Sequence, residues 1–314
     1  MEGIHPYWHI EFYAPDEAHM RGVVEIYASE KTPFQKVEVL KSSHYGKCLI
    51  LDGYTQSAQV DEFIYHENLV HPALVTCASP KKVVIIGGGE GATLYEVLRH
   101  KTVERAWMID IDQRVVELCD KYMPEWHRGA FKDKRATLLY EDGRKFLENS
   151  KETFDVIIID IPEPVEEGPA YLLYTEEFYR IVSQRLSENG VIALQSGCSA
   201  VKELRCLAAI HQTLKKVFPL VFSWPANIPS FDIPWSFTMA SKKIDPRMIK
   251  REAVDKILKD RGVTGLKNYD GETHEGLFFL PKYIRDAFDS NSDIIRDDRP
   301  LTYKMIGDEK NAGG

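Results

Sequence analysis

Residues 82–91, Lys-Val-Val-Ile-Ile-Gly-Gly-Gly-Glu-Gly, bring together the residue types best suited to hold and activate a small ligand. Val83 to Ile86 are apolar and β-branched and read as a strand buried on both faces. Gly87, Gly88, Gly89 and Gly91 supply a tight turn and the positive φ that lets backbone approach a ligand. Helix-forming residues follow from Ala92. Strand, glycine turn and helix together hold nucleotide-like ligands at the carboxyl end of a strand in doubly wound sheets. Gly87-x-Gly89-x-x-Ala92 also fits a dinucleotide fingerprint, but Glu90 argues against that ligand. A carboxylate inside the turn repels a pyrophosphate at the helix N-terminus and attracts an ammonium or a sulfonium. The turn favours an adenosyl-sulfonium ligand over NAD.

Further acids stand where strands should end. Asp110, with Asp112 two residues on, follows the glycines by about 20 residues, the separation expected of an acid on ribose hydroxyls. Asp142-Gly143 follows a third strand, Asp160 closes the run Phe154 to Ile159, and Glu163 lies just beyond. A single acid of this kind often serves only as a helix N-cap. Several on one rim disfavour each other's ionisation until a cation arrives. The segment Asp160 to Tyr179 is acidic, aromatic and broken by Pro162, Pro164, Gly168 and Pro169, and reads as a lid over a cationic substrate. Asp232, within Asn227 to Trp235, is placed either to hold a distal amine or to stabilise a turn. His66-Glu67 and His71 invite a zinc reading, but the histidines are five apart rather than four, so no metal site is expected.

The elements that must position these groups follow from the pattern of the chain. From Lys82 strands and helices alternate, which predicts an α/β doubly wound parallel sheet. Strands are expected at 82–86, 104–110, 136–140, 154–160, 190–195, 219–224 and 235–241, with a helix at 201–217. Before that, short alternating runs at 21–28, 35–40 and 47–51, with Asp52-Gly53 as a hairpin signal, predict a small antiparallel β domain. A helix at 61–76 leads out of it, giving domains at 1–75 and 76–314, and the polar tail after Asp289 reads as loosely packed. The composition is 44% hydrophobic and 28% charged, with a net charge of −8 that disfavours nucleic acid and anionic membrane as partners. The sequence holds no apolar run of the roughly 20 residues a membrane span needs. Five scattered cysteines without a CxxC fit reduced thiols and a cytoplasmic enzyme.

These residues resemble the polyamine aminopropyltransferases, the spermidine and spermine synthases. The likeness rests on Leu51-Asp52-Gly53 to Gln56, Asp61 to Glu67, Gly87 to Gly91, Asp142-Gly143, Asp160 with Pro164, Tyr174 to Tyr179, and His274 to Pro281. It implies a class I methyltransferase-like (Rossmann-like) core behind an N-terminal β domain, a homodimer or homotetramer, and no bound cofactor. Decarboxylated S-adenosylmethionine is then the adenosyl-sulfonium co-substrate, and a polyamine the acceptor. The resemblance places Gln35, Gly87, Gly89, Glu90, Asp110, Asp142 and Gly143 on the donor. It makes Asp160 the catalytic base with Tyr65, and sets Gln56, His66, Glu163 and Gln195 about the acceptor, with Asp232 added from its own turn as a holder of a distal amine or a turn-stabilising residue. Three positions depart from the usual family pattern: Glu163 and Glu90 stand where Asp is common, and His66 where Gln is common. The lid, Pro164 to Tyr174, is closest to thermospermine synthases and to thermophile enzymes acting on triamines or agmatine, which leaves spermidine-like triamines, agmatine and putrescine as acceptors. The other readings are an S-adenosylmethionine-dependent methyltransferase and a non-catalytic polyamine-binding protein.

Overall fold

A computed structural model describes residues 7–14, 16–164 and 170–302. Five antiparallel strands come first: β1 (Tyr7–Ala14), β2 (Glu17–Lys31), β3 (Lys36–Ser42), β4 (Gly46–Leu51) and β5 (Tyr54–Ala58), paired in sequence order. The inner face of this sheet (Val37, Val39, Leu49) packs on Ala92, Val115, Leu118, Cys119 and Trp126 of the following α/β unit. Trp126 Nε1 donates to Ser57 Oγ at 2.7 Å, which pins the contact. The opposite face of β1 and β2 exposes Trp8, Ile10, Phe12, Met20, Val24 and Ile26.

Helix α1 (Glu62–Thr76) is buried along nearly its whole length and packs on the helix Ala92–Arg99 and the strand Leu186–Cys198 of the larger sheet. The chain then runs β6 (Lys82–Gly87), α2 (Ala92–Arg99), β7 (Arg105–Asp110), α3 (Gln113–Tyr122), the single turn α4 (Pro124–His127), β8 (Ala136–Tyr140), α5 (Gly143–Asn149) and β9 (Phe154–Asp160). After them come α6 (Glu176–Arg185), β10 (Leu186–Cys198), α7 (Arg205–Lys215), β11 (Leu220–Asn227) and β12 (Pro234–Ser241). Helices α8 (Arg251–Asp260), α9 (Gly271–Leu277) and α10 (Lys282–Ser290) close the described chain. The strands form one sheet in the order β11-β12-β10-β9-β6-β7-β8, parallel from β10 to β8 and antiparallel at β12 and β11. Val83 to Ile86 and Val156 to Ile159 are covered on both faces, as expected of central parallel strands.

β6 lies between β9 and β7, so the chain turns to one side of β6 first and to the other later. The carboxyl ends at that crossover form the crevice where ligands sit in open α/β sheets. The register pairs Gly87 with Asp160 and Asp110 with Tyr140, which puts the glycine turn and two of the strand-end acids on one edge.

Two expectations change. The tail beyond Asp289 is fastened as far as Thr302: Ile295 is buried, its N–H donates to Thr213 Oγ1 at 3.0 Å, and Arg144 grips Asp297 at 2.9 and 2.7 Å. Polarity misled there because the polar groups are the fasteners. Of the lid, residues 165–169 lie outside the described residues, while Tyr171–Tyr174 form a 3₁₀ turn and Thr175 caps α6.

Candidate active site

Gly87 sits at φ +82°, and its N-terminal neighbours run straight out of β6. A Cβ there would stand 2.1 Å from the carbonyl oxygen of Asp160, so only glycine lets the turn press against β9. Gly89 lies outside the left-handed region and acts by leaving space: a Cβ would come within 2.8 Å of Asp110 Oδ2.

Asp160 is held at this contact with both oxygens engaged. Tyr65 OH donates to Oδ1 at 2.7 Å and Thr93 Oγ1 to Oδ2 at 2.5 Å. Tyr65 comes from α1, Thr93 from the first turn of α2, and Asp160 from β9, so three elements converge on one carboxyl. Burial pushes Asp160 up to about 6; Glu90 adds to the rise, while His66 and the two hydrogen bonds oppose it. The same burial and the neighbouring carboxylate push the Tyr65 phenol well above its ordinary value, so it remains a donor. The edge of the Tyr65 ring meets Phe237, with centroids 5.1 Å apart, which fixes the direction of its hydroxyl.

Glu90 meets His66, whose Nε2 lies 2.9 Å from Glu90 Oε1. His66 Nδ1 lies 2.6 Å from the Glu62 carbonyl oxygen and 3.1 Å from Glu62 Oε2. Both ring nitrogens are thus taken by the protein, although the sequence placed this residue against the acceptor. Single ligand atoms of His66, Glu90 and Asp160 fall within 4.8 Å of one another.

Beside the glycine turn, half-buried Asp110 lies near Asp112, Glu90 and Asp160, and burial foremost pushes it up to about 7. Asp112 organises this flank. Its N–H donates to Asp110 Oδ1 at 2.8 Å, and its Oδ2 accepts from Thr32 Oγ1 at 2.6 Å and Gln35 Nε2 at 3.2 Å. The β2–β3 hairpin carrying Gln35 is thereby drawn over the end of β7, with Arg114 bidentate on Glu30 at 2.8 and 2.9 Å. An open cleft of about 490 Å³ lined by Thr32, Phe34, Gln35 and Asp52 lies at the hairpin tip. Asp142 caps α5, with Oδ1 accepting from Arg144 N at 2.8 Å and Lys145 N at 3.2 Å. Gly143 follows it, where a Cβ would strike Ile86 at 2.5 Å.

The remaining expected acceptor residues divide. Gln195, buried on β10, donates to Ile161 O at 2.8 Å and Tyr174 OH at 2.7 Å and accepts from Gly197 N at 2.8 Å, so it braces the segment after β9. Glu163 is pushed up to about 7 by burial and by Glu203, and its Oε1 lies 2.7 Å from where a Gly197 Cβ would be. Gln56 is partly buried and donates to Tyr54 O at 3.3 Å. Asp232 stands apart from this group: Arg21 donates to its Oδ2, and His19 Nδ1 lies 3.1 Å from the same oxygen. Arg21 also bonds Glu11 and Thr55, at 2.7 and 2.8 Å, so this cluster ties the small sheet to the 229–232 turn. Thr93 carries no motif of its own, and Glu62, although inside the Asp61 to Glu67 stretch, was given no role by sequence reasoning. Their position, one at the start of the helix after the glycines and one a helical turn before His66, was the available signal.

Residues 62–251 match the spermine/spermidine synthase domain, and residues 7–59 the spermidine synthase tetramerisation domain. The polyamine aminopropyltransferase of Sulfurisphaera tokodaii is 41% identical over 295 residues, covering 94% of this chain and 97% of the relative. That of Sulfolobus acidocaldarius is 40% identical over 294 residues, again covering 94% and 97%. Among solved structures, spermidine synthase in complex with the transition state analogue AdoDATO superposes with a TM-score of 0.83 at 31% identity, over 90% of this chain and 95% of that one. Spermidine synthase from Thermotoga maritima gives 0.81 at 31% identity, over 90% and 94%.

Proposed function

The chain belongs to the spermine/spermidine synthase family of polyamine aminopropyltransferases, and from that premise we propose how its own residues carry the transfer. The family reaction moves the aminopropyl group of decarboxylated S-adenosylmethionine to an amine and releases methylthioadenosine. The nucleophile must be a free amine, yet an alkyl ammonium has a pKa near ~10. Asp160 takes that proton. A carboxyl at about 6 is ionised at neutral pH, and the remaining gap to the amine is worth about 5 kcal/mol. Proximity and the positive charge of the donor sulfonium, which lowers the amine's own pKa, act against that gap. The amine lone pair then attacks the carbon next to sulfur, the C–S bond breaks toward sulfur, and one proton leaves the site for each transfer.

Tyr65 directs Asp160 and the nitrogen bound beside it. Asp110 takes the ribose hydroxyls, Asp142 the adenine edge, and Gln35 with Glu90 the donor's aminopropyl amine, against a floor made by Gly87, Gly89 and Gly143. Glu163 holds a distal ammonium of the acceptor, with Gln56 alongside and Gln195 bracing the wall. We assign no metal to the cluster of His66, Glu90 and Asp160, because the cation it faces is the substrate. The exposed apolar face of β1 and β2 is the surface through which we propose a homotetramer forms, and we keep the division at 1–75 and 76–314, with α1 leading from the small sheet into the catalytic unit. No helix among the described residues is long and apolar enough to cross a membrane, and five free buried cysteines suit the cytoplasm, where we place the enzyme.

The observation that carries this reading is the Asp160 carboxyl, gripped by Tyr65 and Thr93 against the glycine turn. The test is incubation with the decarboxylated donor and, separately, putrescine, agmatine, spermidine and norspermidine, with methylthioadenosine and amine products identified by mass. Release with at least one amine is expected, with a loss of about two to four decades in Asp160→Asn, the usual worth of a positioned base. Undiminished turnover in that variant overturns the assignment.

A further inference from the structure

His66 is nearly sealed from water, and the atoms around its ring define its protonation. Nδ1 faces a backbone carbonyl at 2.6 Å and a carboxylate oxygen of Glu62 at 3.1 Å. Both of these only accept, so Nδ1 carries a hydrogen. Nε2 faces a carboxylate oxygen of Glu90 at 2.9 Å, so it carries one as well. Glu62 is itself anchored from outside, with Oε1 accepting from Arg128 Nη2 at 2.8 Å. The result is a row of alternating charge, Arg128, Glu62, His66 and Glu90, running from the surface to the glycine turn. Ligand atoms of His66, Glu90 and Asp160 lie within 4.8 Å of one another at its inner end.

We propose that His66 is a permanent imidazolium, fixed by Glu62, whose buried positive charge keeps the base Asp160 ionised against the field of Glu90. The proposal rests on the reading of Asp160 as the base. Two carboxylates this close in a dry site do not both ionise without compensation. A neutral side chain at position 66 would leave Glu90 unopposed and drive Asp160 toward the protonated form, which cannot accept a proton. Other groups facing the pair are Tyr65 and Thr93, which donate to Asp160, and Asp110, a further acid on β7. None of them supplies a positive charge, so that contribution falls to His66. The direction agrees with burial being outweighed by Glu62 and Glu90, which together raise His66 well above its ordinary value.

Two independent measurements test this. The first is the pH dependence of kcat/KM for the parent enzyme, His66→Gln, Glu62→Gln and the double variant. Each single change is expected to move the acid limb up by about one unit or more, the usual effect of an opposite charge at this range. The double variant should move it no further, because both changes remove the same charge. A variant that merely loosens packing lowers kcat and leaves the limb in place, and a limb unmoved in His66→Gln overturns the proposal. The second is NMR of enzyme labelled in its histidine rings, with His66 assigned by its absence in His66→Gln. The imidazolium signature should persist through neutral pH in the parent, and the ring should lose its proton at lower pH in Glu62→Gln, where one of the two carboxylates that raise it is gone. A neutral ring at pH 7 in the parent overturns the proposal whatever the variants' kinetics show, and His66→Asn supplies the assignment should His66→Gln not fold. Failure of the base reading shows separately, as undiminished turnover in Asp160→Asn, and does not touch the NMR result.

Discussion

Replacing the base by its amide should make the ligand-free enzyme more stable while making it inactive. Asp160 rises on folding from 3.8 to about 6, so between those values the folded state binds more protons than the unfolded one. Stability therefore falls as pH climbs through that window, and the full penalty stands above it. A rise of this size corresponds to about 3 kcal/mol. The amide would keep the shape but can accept at only one position, so one of the hydrogen bonds from Tyr65 and Thr93 is weakened, returning about 1 kcal/mol. The expected net gain for Asp160→Asn at pH 7.5 is about 2 kcal/mol, or a Tm higher by a few degrees for a chain of this size. Thermal unfolding of parent and variant at equal protomer concentration, from pH 5 to pH 8, is the measurement. The gap should be widest above pH 7 and close as pH falls below 6. A variant less stable than the parent at pH 7.5, or a gap that ignores pH, refutes the reasoning.

Other outcomes follow from single contacts. Tyr65→Phe removes the donor 2.7 Å from Asp160 Oδ1; turnover should fall about 10- to 100-fold, the worth of a hydrogen bond to a charged group, with Tm nearly unchanged, as read by methylthioadenosine release. Gly87→Ala puts a Cβ 2.1 Å from a backbone oxygen at φ +82°; donor binding by calorimetry should be lost, and ordinary binding would show that β6 and β9 can separate there. Glu163→Gln should change the ranking of amines in a product assay, favouring shorter acceptors, and an unchanged ranking removes Glu163 from the acceptor site. For the parent enzyme, kcat/KM should fall below about pH 6 as Asp160 protonates, and a limb lying below pH 5 would assign the base elsewhere.

The central strands were legible because β-branched runs such as Val83 to Ile86 and Val156 to Ile159 leave little alternative to a buried parallel strand, and observed bounds fall within a few residues of those read from sequence. β1 was not read from the sequence although Trp8, Ile10 and Phe12 alternate with His9 and Glu11; in the fold the pattern is inverted, with the apolar side chains facing solvent and Glu11 buried. The acids of the site were readable one by one, since each ends a strand. What each side chain touches was not. Thr93 reaches Asp160 across 67 positions and His66 reaches Glu90 across 24, contacts made only when α1 and α2 dock on the sheet. The same docking explains Asp232, which in sequence looks free for an amine and in the fold is claimed by Arg21 from 211 positions away.

The acids of the candidate site do not behave alike, and the differences follow from what each one meets. Asp160 stands at about 6, Asp110 and Glu163 at about 7, each raised chiefly by burial. Glu90, in contrast, lies 2.9 Å from Nε2 of His66, the ring we propose to be charged. A cavity of unrelieved carboxylates would hold protons at neutral pH and lack a base; a cavity fully neutralised by arginines would repel a sulfonium and a polyamine. One fixed internal cation placed between the turn and the base occupies the middle ground. It keeps one carboxylate able to accept a proton and leaves the others to exchange theirs for incoming positive charge. On the proposed reading, donor and acceptor complete the compensation that the protein alone does not supply, and selectivity for cations would have that same electrostatic origin.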